Sequence, residues 1–290
     1  MITSVTNGRI KQVIALRERS RLRNKEGLFV AEGVKMFEEA PISGLQEVYC
    51  SSAFWSQLQN EGSGHAQNRY GRIWDKLQQC IEQKVFVEQV SDEVFKKASD
   101  TQTPQGILFV MKQLSWSLNV IIKKALDRKI AGEGSPLFLI LEDIQDPGNL
   151  GTMVRTAEGA GLDGIIMSRG TVDIYNPKTI RSTMGSLYRV PFLYSENLLK
   201  DIETLKKNQI TVYAAHLKGK QFYDETEYAE GSAFLIGNEG NGLSEEVSAS
   251  ADCLLKIPME GKLESLNAAV AAALLMYRAA GDKRKQRRLG

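Results

Sequence analysis

The sequence predicts an α/β fold in two parts: a small N-terminal α/β domain, and a C-terminal, mostly parallel sheet with helices on both faces. Three observations predict it. Short apolar runs alternate with helical segments along the chain. In the C-terminal half those runs are apolar nearly throughout, as strands covered on both faces must be. Between the two series, the segment from Leu114 to Ser135 closes on the flexible composition AGEGSP. These mark an N-terminal domain over 1–113, a linker over 114–135 and a C-terminal domain over 136–290. The chain's 290 residues exceed one typical core, in keeping with that division.

Residues 9–23 place Ile10, Val13, Ile14 and Leu16 near helical spacing among basic residues, which predicts an amphipathic helix. LFVAEGVKMFEEA follows, with a strand over 28–30, then Glu32-Gly33, then a helix opening near Val34. Further apolar runs lie at 45–50, 85–90 and 106–111, and a helix over 92–98 is introduced by Ser91 or Asp92. Residues 60–70, NEGSGHAQNRY, read as an exposed loop. Beyond the linker, strands are expected at 137–141, 164–167, 211–215, 233–236 and 253–257. Helices are expected at 151–160, 176–182, 196–207 and 265–280.

Hydrophobic residues make up 42% and charged residues 25% of the chain, the balance of a globular rather than a disordered protein. No run approaches the roughly 18–20 apolar residues that cross a bilayer. The N-terminal stretch lacks the apolar core and cleavage site of a secretory leader. Cys50, Cys80 and Cys253 are few, odd in number and unpaired in sequence, which fits a reducing cytoplasm and argues against a disulfide framework or a structural zinc site. The net charge of +2 hides local bias. Arg9, Lys11, Arg17, Arg19, Arg21, Arg23 and Lys25 face Glu18 alone, and the tail carries Arg278, Lys283, Arg284, Lys285, Arg287 and Arg288 against Asp282. Such clusters suit phosphates, and equally a solvated helix face and a frayed tail. Charge does not decide the function.

Three segments carry chemistry, each just after an expected strand, where open parallel sheets bind ligands. In LEDIQDPGNLGTMVRTAEGAG (141–161) a Pro-Gly turn brings Asn149 to a helix start, with Arg155 one and a half turns further on. In AFLIGNEGNGLSEEV (233–247) three glycines and Glu239 follow a buried strand, and Ser244 caps a helix whose first turn holds Glu245 and Glu246. In LKIPMEGKLESLNAAVAAALLMY (255–277) Ser265-Leu266-Asn267 opens a helix of small residues, with Ser265 as a candidate N-cap. The sequence has no GxGxxG dinucleotide fingerprint, GxxxxGK[ST] phosphate loop or GxSxG nucleophile elbow. Two histidines, His65 and His216, and no paired cysteines leave little for a catalytic metal or a Ser-His triad.

In this order and spacing, the three segments resemble the SpoU/TrmH family of RNA 2'-O-ribose methyltransferases, over about residues 136–280. LFVAEGVKMFEEA more weakly resembles that family's substrate-binding domain, over residues 5–111. The resemblance implies a trefoil knot in the C-terminal domain, S-adenosylmethionine as cofactor, no metal, and a cytoplasmic homodimer joined through the catalytic domain. It further implies methylation of a ribose 2'-OH in structured RNA, ribosomal RNA ahead of tRNA; a catalytically inactive knotted RNA-binding protein stands as the alternative. By position, Gly237, Asn238, Gly242, Ile257, Met259 and Leu266 would hold the cofactor. Asn149, Arg155, Glu239, Ser265 and Asn267 match the catalytic positions. Arg9, Arg21, Arg23, Glu32, Arg181 and Ser186 are the expected RNA contacts.

Overall fold

The computed structural model describes residues 1–62 and 68–289, with side chains through Asp282. His65, part of the expected loop at 60–70, and the tail side chains of Lys283, Arg284, Lys285, Arg287 and Arg288 lie outside the described residues. The chain divides into two compact units, Met1–Leu114 with Asp173–Tyr188, and Ser115–Val172 with Arg189–Gly290.

The first unit comprises α1 (Gly8–Glu18), α2 (Ser20–Glu26), β1 (Leu28–Glu32), α3 (Val34–Glu39), β2 (Leu45–Ser51), α4 (Ser52–Gln57), α5 (Arg69–Glu82), β3 (Phe86–Val90), α6 (Asp92–Ala98) and β4 (Ile107–Lys112). Its sheet has the order β1-β4-β2-β3, with β4 antiparallel to both neighbours and β2 parallel to β3. Ile10, Val13 and Leu16 of α1 and Val94, Phe95 and Ala98 of α6 pack with Val30, Tyr49, Leu108 and Val110 of the sheet. The single helix expected over 9–23 is broken at Arg19, whose extended backbone (φ −119°, ψ 103°) ends α1 and starts α2.

The second unit contains α7 (Leu118–Ile130), β5 (Leu137–Leu141), α8 (Pro147–Ala160) and β6 (Gly164–Met167). The chain then passes through α9 (Pro177–Thr183), which belongs to the first unit. It returns for β7 (Phe192–Tyr194), α10 (Leu198–Lys207), β8 (Thr211–Ala215), β9 (Gln221–Phe222), β10 (Ser232–Ile236), α11 (Glu245–Ala249), β11 (Cys253–Lys256) and α12 (Ala268–Leu289). Seven strands form one parallel sheet in the order β7-β6-β5-β10-β8-β11-β9. Side chains alternate across a strand. Thus Phe138 and Ile140 meet Ile121, Ile122 and Ala125 of α7 and Ile202 and Leu205 of α10 on one face, while on the other α12 packs on β10 and α8. No described helix is long and apolar enough to cross a membrane.

Two expectations of organisation are corrected. The stretch 114–135, read as a linker, holds α7, because Ile121, Ile122 and Ala125 share a helical face that fills the core. Residues 173–188 leave the expected C-terminal domain for the first unit. There Arg23 donates to Asp173 Oδ2 from Nε at 2.9 Å and Nη2 at 2.5 Å, and the Tyr175 ring lies 4.6 Å from that of Phe29.

Candidate functional site

The three segments converge at the carboxyl ends of β5, β10 and β11. After β5, Asp143 takes a left-handed φ of 53° that turns the chain. The Ser168 hydroxyl, beyond β6, fixes that turn: it accepts from Asp143 N at 2.8 Å and donates to Asp143 Oδ1 at 2.6 Å. The helix that follows was expected from 151, after a Pro-Gly turn, yet α8 already begins at Pro147. Proline at N1 surrenders no hydrogen bond that a helix start would make, and Asp146 caps the first turn by accepting from Asn149 N at 2.8 Å.

After β10 the chain folds on itself. Asn238 N donates to Gly242 O at 3.0 Å and Gly242 N to Asn238 O at 2.9 Å. A Cβ on Gly237 would overlap the Gly242 carbonyl, so only glycine fits there. Asn238 Oδ1 accepts from Gly240 N at 2.9 Å and Asn241 N at 3.0 Å, and its Nδ2 donates to Asp143 O at 2.7 Å. At the tip, Glu239 accepts from Gln145 N at 2.9 Å, Asp146 N at 3.0 Å and Asn149 Nδ2 at 2.9 Å. Burial pushes the Glu239 carboxyl up, but these hydrogen bonds outweigh it and hold the group below the usual carboxylate range.

The third segment joins through Asn267, whose Nδ2 donates to Asn149 Oδ1 at 2.9 Å. Its Oδ1 accepts from Ala269 N at 2.9 Å and Val270 N at 3.3 Å, so Asn267 also caps α12. Ser265, the other candidate cap, is exposed and makes no hydrogen bond to another described residue; the helix expected from 265 opens at Ala268 instead. Ile257, Met259 and Leu266 are half-buried. Between them, residues 258–266 make no backbone hydrogen bond to any described residue, leaving donors and acceptors open at the strand ends. Arg155 is exposed on α8 and has no hydrogen bond or ion pair among the described residues.

The SpoU rRNA Methylase family model matches residues 136–277, and the MRM3-like substrate binding domain model matches residues 7–108. The 23S rRNA (guanosine(2553)-2'-O)-methyltransferase RlmP of Bacillus subtilis is 38% identical over 192 residues, which span 66% of this chain and 71% of that protein. The chain belongs to the SpoU rRNA methylase family. Among solved structures, an rRNA methyltransferase from Sinorhizobium meliloti superposes with a TM-score of 0.79 at 26% identity, covering 97% of both chains. An AdoMet-bound structure of rRNA methyltransferase from the same organism gives 0.76 at 26% identity and the same coverage.

In this SpoU chain the first unit disposes of its expected RNA contacts unequally. Arg23 is buried, with a 4% exposed side chain, and is spent on Asp173 and on the carbonyls of Leu16 and Arg17. Ser186 is 3% exposed. Neither side chain is open to a ligand, because the fold uses both as interior groups. Arg9 pairs with Glu47 and lies over the Phe86 ring, Arg181 pairs with Asp100 at 2.5 Å, and Glu32 accepts from Ser99 Oγ, Thr101 Oγ1 and Asp100 N. Arg21 remains exposed and unpaired among the described residues, as do Lys11, Arg19 and Lys25. Sequence reasoning missed Gln145 and Asp146 as partners of Glu239. They act through backbone amides, which carry no residue-type signal.

Proposed function

We propose that this chain transfers a methyl group from S-adenosylmethionine to a ribose 2'-OH of ribosomal RNA. The observation that carries this reading is the chain Glu239–Asn149–Asn267, which ties all three motif segments together at the carboxyl ends of parallel strands. The 23S rRNA 2'-O-methyltransferase activity named for the RlmP relative supports ribosomal RNA as the substrate. The family's trefoil knot, a homodimer through the second unit and a cytoplasmic setting belong to the same reading. Support for the dimer comes from α12, where the large hydrophobic side chains of Val270 and Tyr277 are 48% and 47% exposed.

The residues fit the cofactor. A nucleoside is held by apolar walls and backbone hydrogen bonds. Ile257, Met259 and Leu266 offer the first, and the open amides and carbonyls of 258–266 offer the second, beside the narrow turn at Gly237. When bound, S-adenosylmethionine supplies the electrophilic methyl. The protein's part is to orient the 2'-oxygen and assist loss of its proton. A guanidinium offers hydrogen-bond donors and no acceptor, so Arg155 grips phosphate and stabilises developing alkoxide charge rather than accepting a proton. Glu239, held ionised by three donors, is a positioning residue and a poor base. The proton then passes to water.

Mapping 2'-O-methyl positions in total RNA from cells with and without the gene tests the reading. One ribosomal RNA position is expected to lose its methyl when the gene is removed. An unchanged map would overturn the proposal.

A further inference from the structure

Glu142 holds both ends of the glycine-rich loop that follows β10. Its backbone N–H continues the ladder between β5 and β10, donating to Ile236 O at 2.9 Å, immediately before the loop begins at Gly237. Its carboxylate reaches the other end of the loop. Oε2 accepts from Ser244 N at 2.8 Å and Oε1 from Ser244 Oγ at 2.7 Å. The Ser244 hydroxyl in turn accepts from Val247 N at 3.2 Å and so caps α11. One residue therefore closes residues 237–243 into a ring, which the Asn238–Gly242 bridge narrows from within.

The loop has four further ties, and all run to the segment just beyond Glu142. Asn238 Nδ2 donates to Asp143 O, and Glu239 accepts from Gln145 N, Asp146 N and Asn149 Nδ2. Those ties hold the first half of the loop. In the second half, where Gly242 has a left-handed φ of 71°, Leu243 packs against the core, and among the described residues the side-chain hydrogen bonds that tie this half to the end of β5 are those to the Glu142 carboxylate. Two hydrogen bonds to an ionised carboxylate are strong ones. Their loss would leave the β5–β10 ladder intact and free the second half of the loop to move.

We propose that Glu142 is a positioning residue that fixes the loop containing Gly237, Asn238 and Gly242 in its cofactor-binding shape. The assignment rests on the proposed function above. Without the carboxylate the cofactor has to order the loop as it binds, so affinity falls while the chemistry at saturation is spared.

Two full-length variants test this, Glu142→Leu and the near-isosteric Glu142→Gln, by calorimetric titration with S-adenosylmethionine and by steady-state kinetics. Glu142→Leu, which loses both hydrogen bonds to Ser244, is expected to raise both Kd and KM for S-adenosylmethionine about tenfold. Its kcat should stay within about threefold of wild type, and KM for RNA should not change. Glu142→Gln, which keeps one acceptor, should fall between. Unchanged cofactor Kd in both variants overturns the proposal, as does a fall in kcat with cofactor KM unmoved. If Glu142→Leu does not fold, Glu142→Gln decides alone. The wild-type titration separates the two levels: no binding there removes the methyltransferase reading itself, whereas wild-type binding matched by both variants removes only the role of Glu142.

Discussion

Asn267 donates from its side-chain nitrogen to the Asn149 side-chain oxygen Oδ1 across 2.9 Å, linking residues 118 positions apart in sequence. Asn149 is thereby used twice, as acceptor from Asn267 and as donor to Glu239. Asn149→Asp is almost the same size and can still accept, but it sets a second carboxylate against Glu239. Methyl transfer is expected to drop about 100-fold, the scale of a small misplacement at a reacting centre. Asn267→Ala should cost stability as well, by about 1 kcal/mol, because the α12 cap is lost with it. Steady-state kinetics and thermal unfolding check both variants.

The Glu239 carboxyl is held below its usual range, and the sign of the resulting pH effect follows. A depressed folded value means that the stabilisation is fully present above the unfolded value of about 4.3 and is lost as pH falls through the folded value. The stability difference between wild type and Glu239→Gln should therefore be constant from pH 6 to 8 and shrink below about pH 4. Denaturant unfolding of the two proteins across that range measures it. A difference that grew toward acid pH would contradict the assignment of the three hydrogen bonds to an ionised group.

Much of the second unit was legible in its residues. The strands Leu137–Leu141, Gly164–Met167 and Thr211–Ala215 fall where apolar runs predicted them, since a strand buried on both faces leaves a continuous signal. The three motif segments do converge, as their places after strands implied. What could not be read was long-range partnership. Arg23 belongs to a basic run of residues but points inward, because Asp173, 150 positions away, waits for it. Helix α7 was hidden by the flexible composition that follows it, although Ile121, Ile122 and Ala125 already shared a face. Ser265 and Asn267 are both good cap residues, and only the geometry separates them.

Gly237 gives a test of the loop that follows β10. Its Cα faces the Gly242 and Leu243 backbone so closely that any Cβ would overlap main-chain atoms. The backbone, unlike a flexible side chain, cannot give way at low cost. Gly237→Ala is expected to displace the loop and to weaken S-adenosylmethionine binding by about 100-fold or more, while the far-UV circular dichroism stays that of wild type. Calorimetry reads the affinity.

Arg155 separates function from stability. It is exposed and its side chain makes no hydrogen bond or ion pair among the described residues, so Arg155→Ala should change unfolding free energy by no more than about 0.5 kcal/mol. Under the proposed mechanism the same variant loses the alkoxide-stabilising cation, which at comparable sites costs about 100- to 1000-fold in kcat. Arg155→Lys keeps the charge but not the planar, two-pronged donor, and should fall between the two. Near-normal turnover of Arg155→Lys with an unchanged pH profile would remove both the clamp and the charge role.

The basic segment splits into two classes that one pair of variants can tell apart. Arg23 is interior and paired with Asp173, so Arg23→Ala strands a carboxylate and removes carbonyl contacts, for an expected loss of about 3–5 kcal/mol. Arg21 and Lys25 lie one helical turn apart on α2, exposed and unpaired among the described residues. The double variant Arg21→Ala/Lys25→Ala should leave the unfolding midpoint nearly unmoved. If these cations meet phosphate, it should also lower the slope of log affinity against log salt by about 1.4, roughly 0.7 per cation for single-stranded RNA. Fluorescence anisotropy with a ribosomal RNA fragment across a salt series reads that slope. An unchanged slope would place the RNA elsewhere and leave Arg21 and Lys25 as a solvated helix face, which is what their charge alone had allowed from the start.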